Sequence, residues 1–335
     1  MTDQSHSPTE STPTIAVTGA AGYIGSRVVK LLRTHHPEWK VRALDNFYLG
    51  TVREIEDVSV EHVDIRNRER LEDVLSGANI VLHLAAISGV DDCETNQQLA
   101  YDVNVQGTNN VVWFCRKTGA GLIFPFSMAV IGDPEEFPIT VDDPRQPMNW
   151  YGRTKVLNEQ AIDTMAEDAF PAHLYLKSNL YGEHKIDGQR VSKGTVINFF
   201  VNRVFSDEPI TVYEPGTQSR NFIHVKDVAA AYIQSVERLL EQLDAGETGT
   251  WKYEIASDED PSVQEIAKRV QSIAADEAAI DVDIELVENP RGNETLVSNF
   301  EVDTTKATND LGWQPQQSVD ESIRNLIRKR ATDSE

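Results

Sequence analysis

Cysteine is nearly missing from this 335-residue chain. Cys93 and Cys115 are its two, and neither falls in a metal-ligand spacing, so both read as structural thiols in a reducing compartment. Long apolar runs are missing too. Apolar residues make up 40% of the chain, yet no stretch approaches the ~18 residues of a membrane-crossing helix. Basic excess is the third absence: 31 Lys and Arg stand against 54 Asp and Glu, a net charge of -23. Such a surface repels nucleic acid and anionic membranes, which argues against both as partners. The opening residues, 1–13, lack the basic start and apolar stretch of a signal peptide. Their Ser, Thr and Pro content reads as a disordered tail on a cytoplasmic protein.

What the chain does have begins at Ile15-Ala16-Val17-Thr18, a short apolar run suited to a buried parallel strand. Gly19-Ala20-Ala21-Gly22-Tyr23-Ile24-Gly25 follows, and a helical pattern with Val28, Leu31 and Leu32 on one face comes next. Strand, glycine turn and helix together form a cradle for a pyrophosphate at a helix N-terminus, although the spacing is G-x-x-G-x-x-G rather than G-x-G-x-x-G. A second strand, 41–44, ends at Asp45, twenty residues beyond Gly25. A carboxylate there accepts from an adenosine ribose 2′-OH and repels a 2′-phosphate, which favours NAD over NADP. A third short strand, 60–63, leads to Asp64 and Ile65, placed to meet the adenine. A fourth, 80–86, would carry Leu84, Ala85 and Ala86 past the cofactor; His83 inside it reads as a packed histidine.

Tyr151 and Lys155 stand four residues apart, one turn of a helix, on one face. An ammonium beside a phenol favours the phenolate and lowers its pKa, giving a group able to exchange a proton with a sugar or alcohol hydroxyl. Ser127 ends a strand between this pair and the glycine turn.

With these residues in order, the chain resembles the extended short-chain dehydrogenase/reductases, and among them the NAD-dependent epimerase/dehydratase family of nucleotide-sugar enzymes. The resemblance runs from about Ile15 to Ile327. It rests on the glycine turn, 83–86 (HLAA), 104–108 (NVQGT), Ser127 before Gly132, Tyr151/Lys155, 179–182 (NLYG), 220–225 (RNFIHV) and 311–313 (LGW). It implies an α/β fold, a doubly wound parallel (Rossmann) sheet with a smaller interleaved C-terminal substrate lobe. Residues 14–178 and 222–256 would form the NAD-binding part, and 179–221 and 257–330 the nucleotide-sugar-binding lobe. The cofactor contacts it implies are Gly19, Gly22, Tyr23, Ile24, Gly25, Asp45, Asn46, Asp64, Ile65, Leu84, Ala85, Ala86, Asn104, Tyr151 and Lys155. Tyr151 would be the acid/base, Lys155 its partner on the nicotinamide ribose, and Ser127 the donor to the reacting hydroxyl. Asn179 would touch substrate. Arg220 and Arg291 would grip the nucleotide diphosphate. A homodimer through helices 98–117 and 151–166 is implied as well, and no metal.

Within the family, dehydratases carry Asp-Glu or Ser-Glu at the two positions that here are Met128 and Ala129, neither able to move a proton. The expected reaction is therefore epimerisation, at C4 of a UDP-hexose through a transient 4-keto sugar. The alternatives are a reductase or dehydrogenase with exchanging cofactor, then a 4,6-dehydratase or decarboxylase, and last a non-catalytic cofactor sensor. A uronate substrate would need a cation near C6, with Lys185 or Arg190 as candidates. The dispersed acidic surface points to a host with a salty cytoplasm, since dissolved ions screen its self-repulsion. Thermal unfolding is therefore expected at higher temperature in molar KCl than in dilute buffer; a melting curve indifferent to salt would refute this.

Overall fold

The structure is a computed structural model and describes residues 12–290 and 295–334. The expected tail, apart from Thr12 and Pro13, and the candidate Arg291 lie outside the described residues. In chain order the strands are β1 (Thr14–Thr18), β2 (Lys40–Asp45), β3 (Glu54–Ile55), β4 (Val58–His62), β5 (Ile80–His83), β6 (Gly121–Ser127) and β7 (Pro171–Lys177). The short β8 (Asn179–Tyr181), β9 (His184–Ile186), β10 (Gln189–Val191), β11 (Ile210–Tyr213) and β12 (Phe222–His224) follow, then β13 (Gly249–Ile255) and β14 (Ile284–Val287). The helices are α1 (Gly25–His35), α2 (Arg68–Leu75), α3 (Val90–Thr95), α4 (Gln97–Tyr101), α5 (Thr108–Thr118) and α6 (Trp150–Ala166). After them come α7 (Val196–Val204), α8 (Val225–Ala245), α9 (Val263–Ala278), α10 (Thr305–Leu311) and α11 (Val319–Ser334). A π-helical turn, Asp102–Gly107, joins α4 to α5.

The main sheet has the order β13-β7-β6-β5-β1-β2-β4-β3, parallel throughout except for β3 against β4. Buried on both faces, its strands are the near-continuous apolar runs that a parallel sheet requires. Side chains alternate between two cores. Phe124, Phe126, Leu174 and Leu176 pack beneath α5 and α6, whereas Ile15, Val17, Ile123 and Tyr175 pack beneath α1 and α8. The chain is thus doubly wound, with helices on both faces. Strand order reverses between β1 and β5, and that reversal leaves a crevice at their carboxyl ends.

A third core, built from α7, α9, α11 and β11, belongs to the smaller lobe. The chain re-enters the larger layer with α8 and adds β13 beside β7, whereas Phe222–His224 pairs with β8 outside the main sheet. Helix α8 runs to Ala245 and stops where Gly246 turns left-handed. The Ser262–Glu265 capping box forms reciprocally at the start of α9.

Helix α6 is tied to the sheet edge by charge. Arg145 donates to both carboxylate oxygens of Glu159 (2.9 and 2.8 Å), and Lys252 on β13 donates to Glu159 and Asp163 (2.8 Å each). Burial alone would raise the Glu159 pKa, but Arg145 and Lys252 together hold it below the ordinary value. A depressed carboxyl pKa stabilises the fold above the unfolded value near ~4.3, and that gain disappears as pH falls through the folded value. Glu159→Gln should therefore lower unfolding free energy by roughly 3–5 kcal/mol near neutral pH, because two cations lose their counterion. Urea titrations of both proteins should converge at acid pH; a neutral-pH loss below about 1 kcal/mol would contradict the assignment.

Candidate active site

A cleft of about 970 Å³ opens along the carboxyl ends of β1, β2, β5, β6 and β7. The glycine turn floors one end. Gly19 has φ +71°, and a Cβ on it would lie 2.7 Å from the Ala85 nitrogen; a Cβ on Gly25 would lie 2.1 Å from the Gly19 carbonyl. Only glycine permits this closeness of β1, the turn and the strand-end residues 84–85. Helix α1 starts at this turn with no side-chain cap, the kind of terminus at which an anion can meet backbone N–H groups. Those features fit a dinucleotide pyrophosphate.

Asp45 lines the cleft at the end of β2. Its carboxylate accepts from Phe47 N (2.7 Å) and Ala21 N (3.0 Å), one bond to each oxygen, which fixes its direction and leaves lone pairs for ribose hydroxyls. Burial raises its pKa, and the two backbone donors oppose that. Gly22, Tyr23, Ile24, Asn46, Ile65, Leu84, Ala85 and Ala86 all line the same cleft. The Tyr23 hydroxyl donates to Gly182 O (2.7 Å), linking the turn to the other lobe.

Two candidates fall outside the cleft wall. Asp64 turns its carboxylate to Arg66, accepting from its backbone N (2.9 Å) and guanidinium, and so shapes a turn while Ile65 and Arg66 face the cleft. Asn104 is buried in the π-helical turn and its amide is fully spent. It accepts from Ile87 N (2.8 Å) and donates to Ile87 O (3.0 Å) and Thr154 Oγ1 (3.2 Å). Asn104 thus positions the loop after β5 against α6. His83 is a packed residue, between Thr18 Oγ1 (2.7 Å) and Thr108 Oγ1 (2.9 Å), with burial driving its pKa down to about 3.

Ser127, Tyr151 and Lys155 meet at the middle of the cleft. Ser127 ends β6, and α6 begins just before Tyr151, capped by the Asn149 side chain on Gly152 N (2.9 Å). Lys155 donates to the Pro125 carbonyl (2.9 Å) and lies 4.3 Å above the Phe124 ring and 5.8 Å from the Tyr151 ring centre. Burial, with Lys193 adding to it, brings the Lys155 pKa down to about 7. Tyr151 departs from the expectation of a lowered pKa. Burial pushes its phenol up, and the hydrogen bond with Ser127 offsets only part of this. In the protein alone, burial moves each group toward its neutral form.

Asn179 is exposed to the cleft and Arg220 lines it, with its guanidinium donating to Ser219 O (2.7 Å) and Thr295 O (2.6 Å). Lys185 is turned away, ion-paired with Asp333, and Arg190 stands half-exposed at the rim near Glu183. The sequence reading missed Lys177. It ends the buried strand β7 and reaches the cleft, with its pKa brought to about 7 by burial and by Lys193 and Lys155. A charged residue closing a buried strand, two residues before Asn179, was the available signal.

Three comparisons bear on this geometry. UDP-glucose 4-epimerase 1 of Oryza sativa subsp. japonica is 30% identical, over 93% of each chain. UDP-N-acetyl-alpha-D-glucosaminuronate decarboxylase of Bacillus cytotoxicus is 26% identical, over 93% of this chain and 96% of its own. The crystal structure of the Thermotoga maritima UDP-glucose 4-epimerase with UDP-glucose superposes with a TM-score of 0.83 at 22% identity, covering 96% of this chain and all of that one. Through residues 15–256, the chain belongs to the NAD dependent epimerase/dehydratase family, and its cofactor is NAD.

Proposed function

We propose that the protein is an NAD-dependent nucleotide-sugar epimerase acting at C4 of a UDP-hexose through a transient 4-keto sugar. The observation that carries this reading is the convergence of Ser127, Tyr151 and Lys155 beside the glycine turn, with Met128 and Ala129 next to them. Bound NAD would take up and return the hydride, and the positive charge of its ring would favour the Tyr151 phenolate.

The chain's own groups move the proton. Tyr151 takes it from the sugar hydroxyl and returns it after the ketone has presented its other face. Ser127 holds that hydroxyl in line with the phenol, and Lys155 supplies the cation that makes phenolate accessible once the site is filled. Proton removal at C5 or protonation at C6 would need a further acid or base, and a thioether and a methyl group provide neither. This supports epimerisation over dehydration. Asn179 and Arg220 would hold the sugar and the diphosphate, with a planar guanidinium suited to two phosphate oxygens. Residues 14–178 and 222–256 would then be the cofactor-binding part and the remainder the sugar-nucleotide lobe. Tyr101 on α4, Trp113 on α5 and Leu157 on α6 leave an exposed apolar face, which we read as the contact of a homodimer.

A panel of UDP-, dTDP- and GDP-sugars followed by NMR tests this reading. The expected result is interconversion of two C4 epimers with no net NADH. Net NADH with a stable oxidised product would instead make the protein a dehydrogenase. Tyr151→Phe should cut kcat by about 10²–10⁴-fold with the circular-dichroism spectrum intact. Unchanged turnover in that variant would remove the mechanism.

A further inference from the structure

Three amines share the middle of the cleft: Lys155, Lys177 and Lys193. Each raises the cost of charging another, an odd arrangement inside a protein carrying -23. Two of them have partners. Lys155 donates to the Pro125 carbonyl, and Lys193, in the loop before α7, donates to Ser88 Oγ (2.8 Å) on the loop after β5. Among the described residues, no hydrogen bond or carboxylate partner accounts for the Lys177 ammonium.

Register places Lys177. In the ladder between β6 and β7 it is the partner of Ser127, so the two side chains leave the sheet on the same face, side by side, at its carboxyl edge. The anion it awaits is not the cofactor pyrophosphate. That group belongs to the glycine turn after β1, three strands away, about 14 Å across the sheet at ~4.8 Å per strand. Nor is it level with Arg220, whose guanidinium is turned to the Ser219 and Thr295 carbonyls. What lies level with Lys177 is the serine that would hold the reacting sugar.

We propose that Lys177, supported by Lys193, binds a carboxylate carried on the sugar, so that the enzyme's substrate is a nucleotide-linked hexuronate rather than a neutral hexose. This rests on the reading of Ser127, Tyr151 and Lys155 as the site of sugar chemistry. An unpaired amine, half-buried at the cleft wall, gains a charge-assisted hydrogen bond from such a group, and its repulsion from the neighbouring amines is offset. Lys185 and Arg190, the cations that sequence position alone suggests, are already engaged or at the rim. No carboxylate-bearing side chain is required of the protein: the substrate brings it.

The test is calorimetric titration of the NAD-loaded protein with UDP-glucuronate and with UDP-glucose. The wild type is expected to bind the uronate at least about tenfold more tightly, a difference of ~1.4 kcal/mol. Lys177→Met should collapse that ratio to within about threefold, and Lys177→Arg should retain it, which a merely structural lysine would not do. Equal affinities in the wild type, or an equal loss for both sugars in Lys177→Met, would overturn the assignment while leaving the epimerase reading in place. Failure of the wild type to bind either nucleotide sugar would overturn both.

Discussion

One hydrogen bond, from the Lys155 amine to the Pro125 carbonyl, fixes the geometry of the candidate site. It joins the first turns of α6 to the last residues of β6, and so brings a helix side chain and a strand-end serine to the same point above the sheet. The rest of α6 serves that contact. Thr154, one residue earlier, is held by Asn104, and Glu159, one turn later, is held by Arg145 and Lys252. A helix docked only by apolar contacts could slide or roll by a fraction of an ångström; three polar attachments along one side make that costly. The short distance tolerance of proton transfer is met by the scaffold rather than by the reacting groups.

Charge is distributed in two opposed ways. The surface is strongly acidic, whereas the cleft gathers Lys155, Lys177, Lys193 and Arg220. Focusing of the field by low-dielectric walls makes such a cleft attractive to polyanions even on a negative body. The same low dielectric moves the resting protonation states of Lys155 and Tyr151 toward neutrality. The cleft is thus built for a filled state, in which the charges of the bound molecules complete those of the protein.

The architecture was open to reading from the sequence because it rests on short-range signals. Short apolar runs mark β1 and β5, and the glycine spacing marks the turn into α1. Ser127 and Asp45 were legible because each closes a strand, and Tyr151 because it stands one helical turn from Lys155. What escaped depends on long-range packing. Asn104 lies in a motif that reads as a cofactor contact, yet its amide meets Ile87, seventeen residues away, and Thr154, fifty residues away. Lys177 and Lys193 become neighbours through the pairing of β6 with β7 and the return of the loop before α7, which no local pattern encodes. The direction of the Tyr151 shift was likewise hidden, since spacing reveals a nearby ammonium but not the depth of burial around both groups.

The π-helical turn at Asp102–Gly107 carries a consequence for how this scaffold tolerates change. It holds one residue more than an ideal turn would, and each residue rotates a helix by ~100°. Deleting that extra residue would restore regular bonding along the backbone from Gln97 to Thr118, and would swing the Asn104 amide around the helix axis, away from Ile87. A smoother, more regular rod would result, with the loop beside the glycine turn left untethered. Length along this segment is therefore constrained as tightly as residue identity, and insertions or deletions here should be far harder to accommodate than substitutions on the outer face of α5.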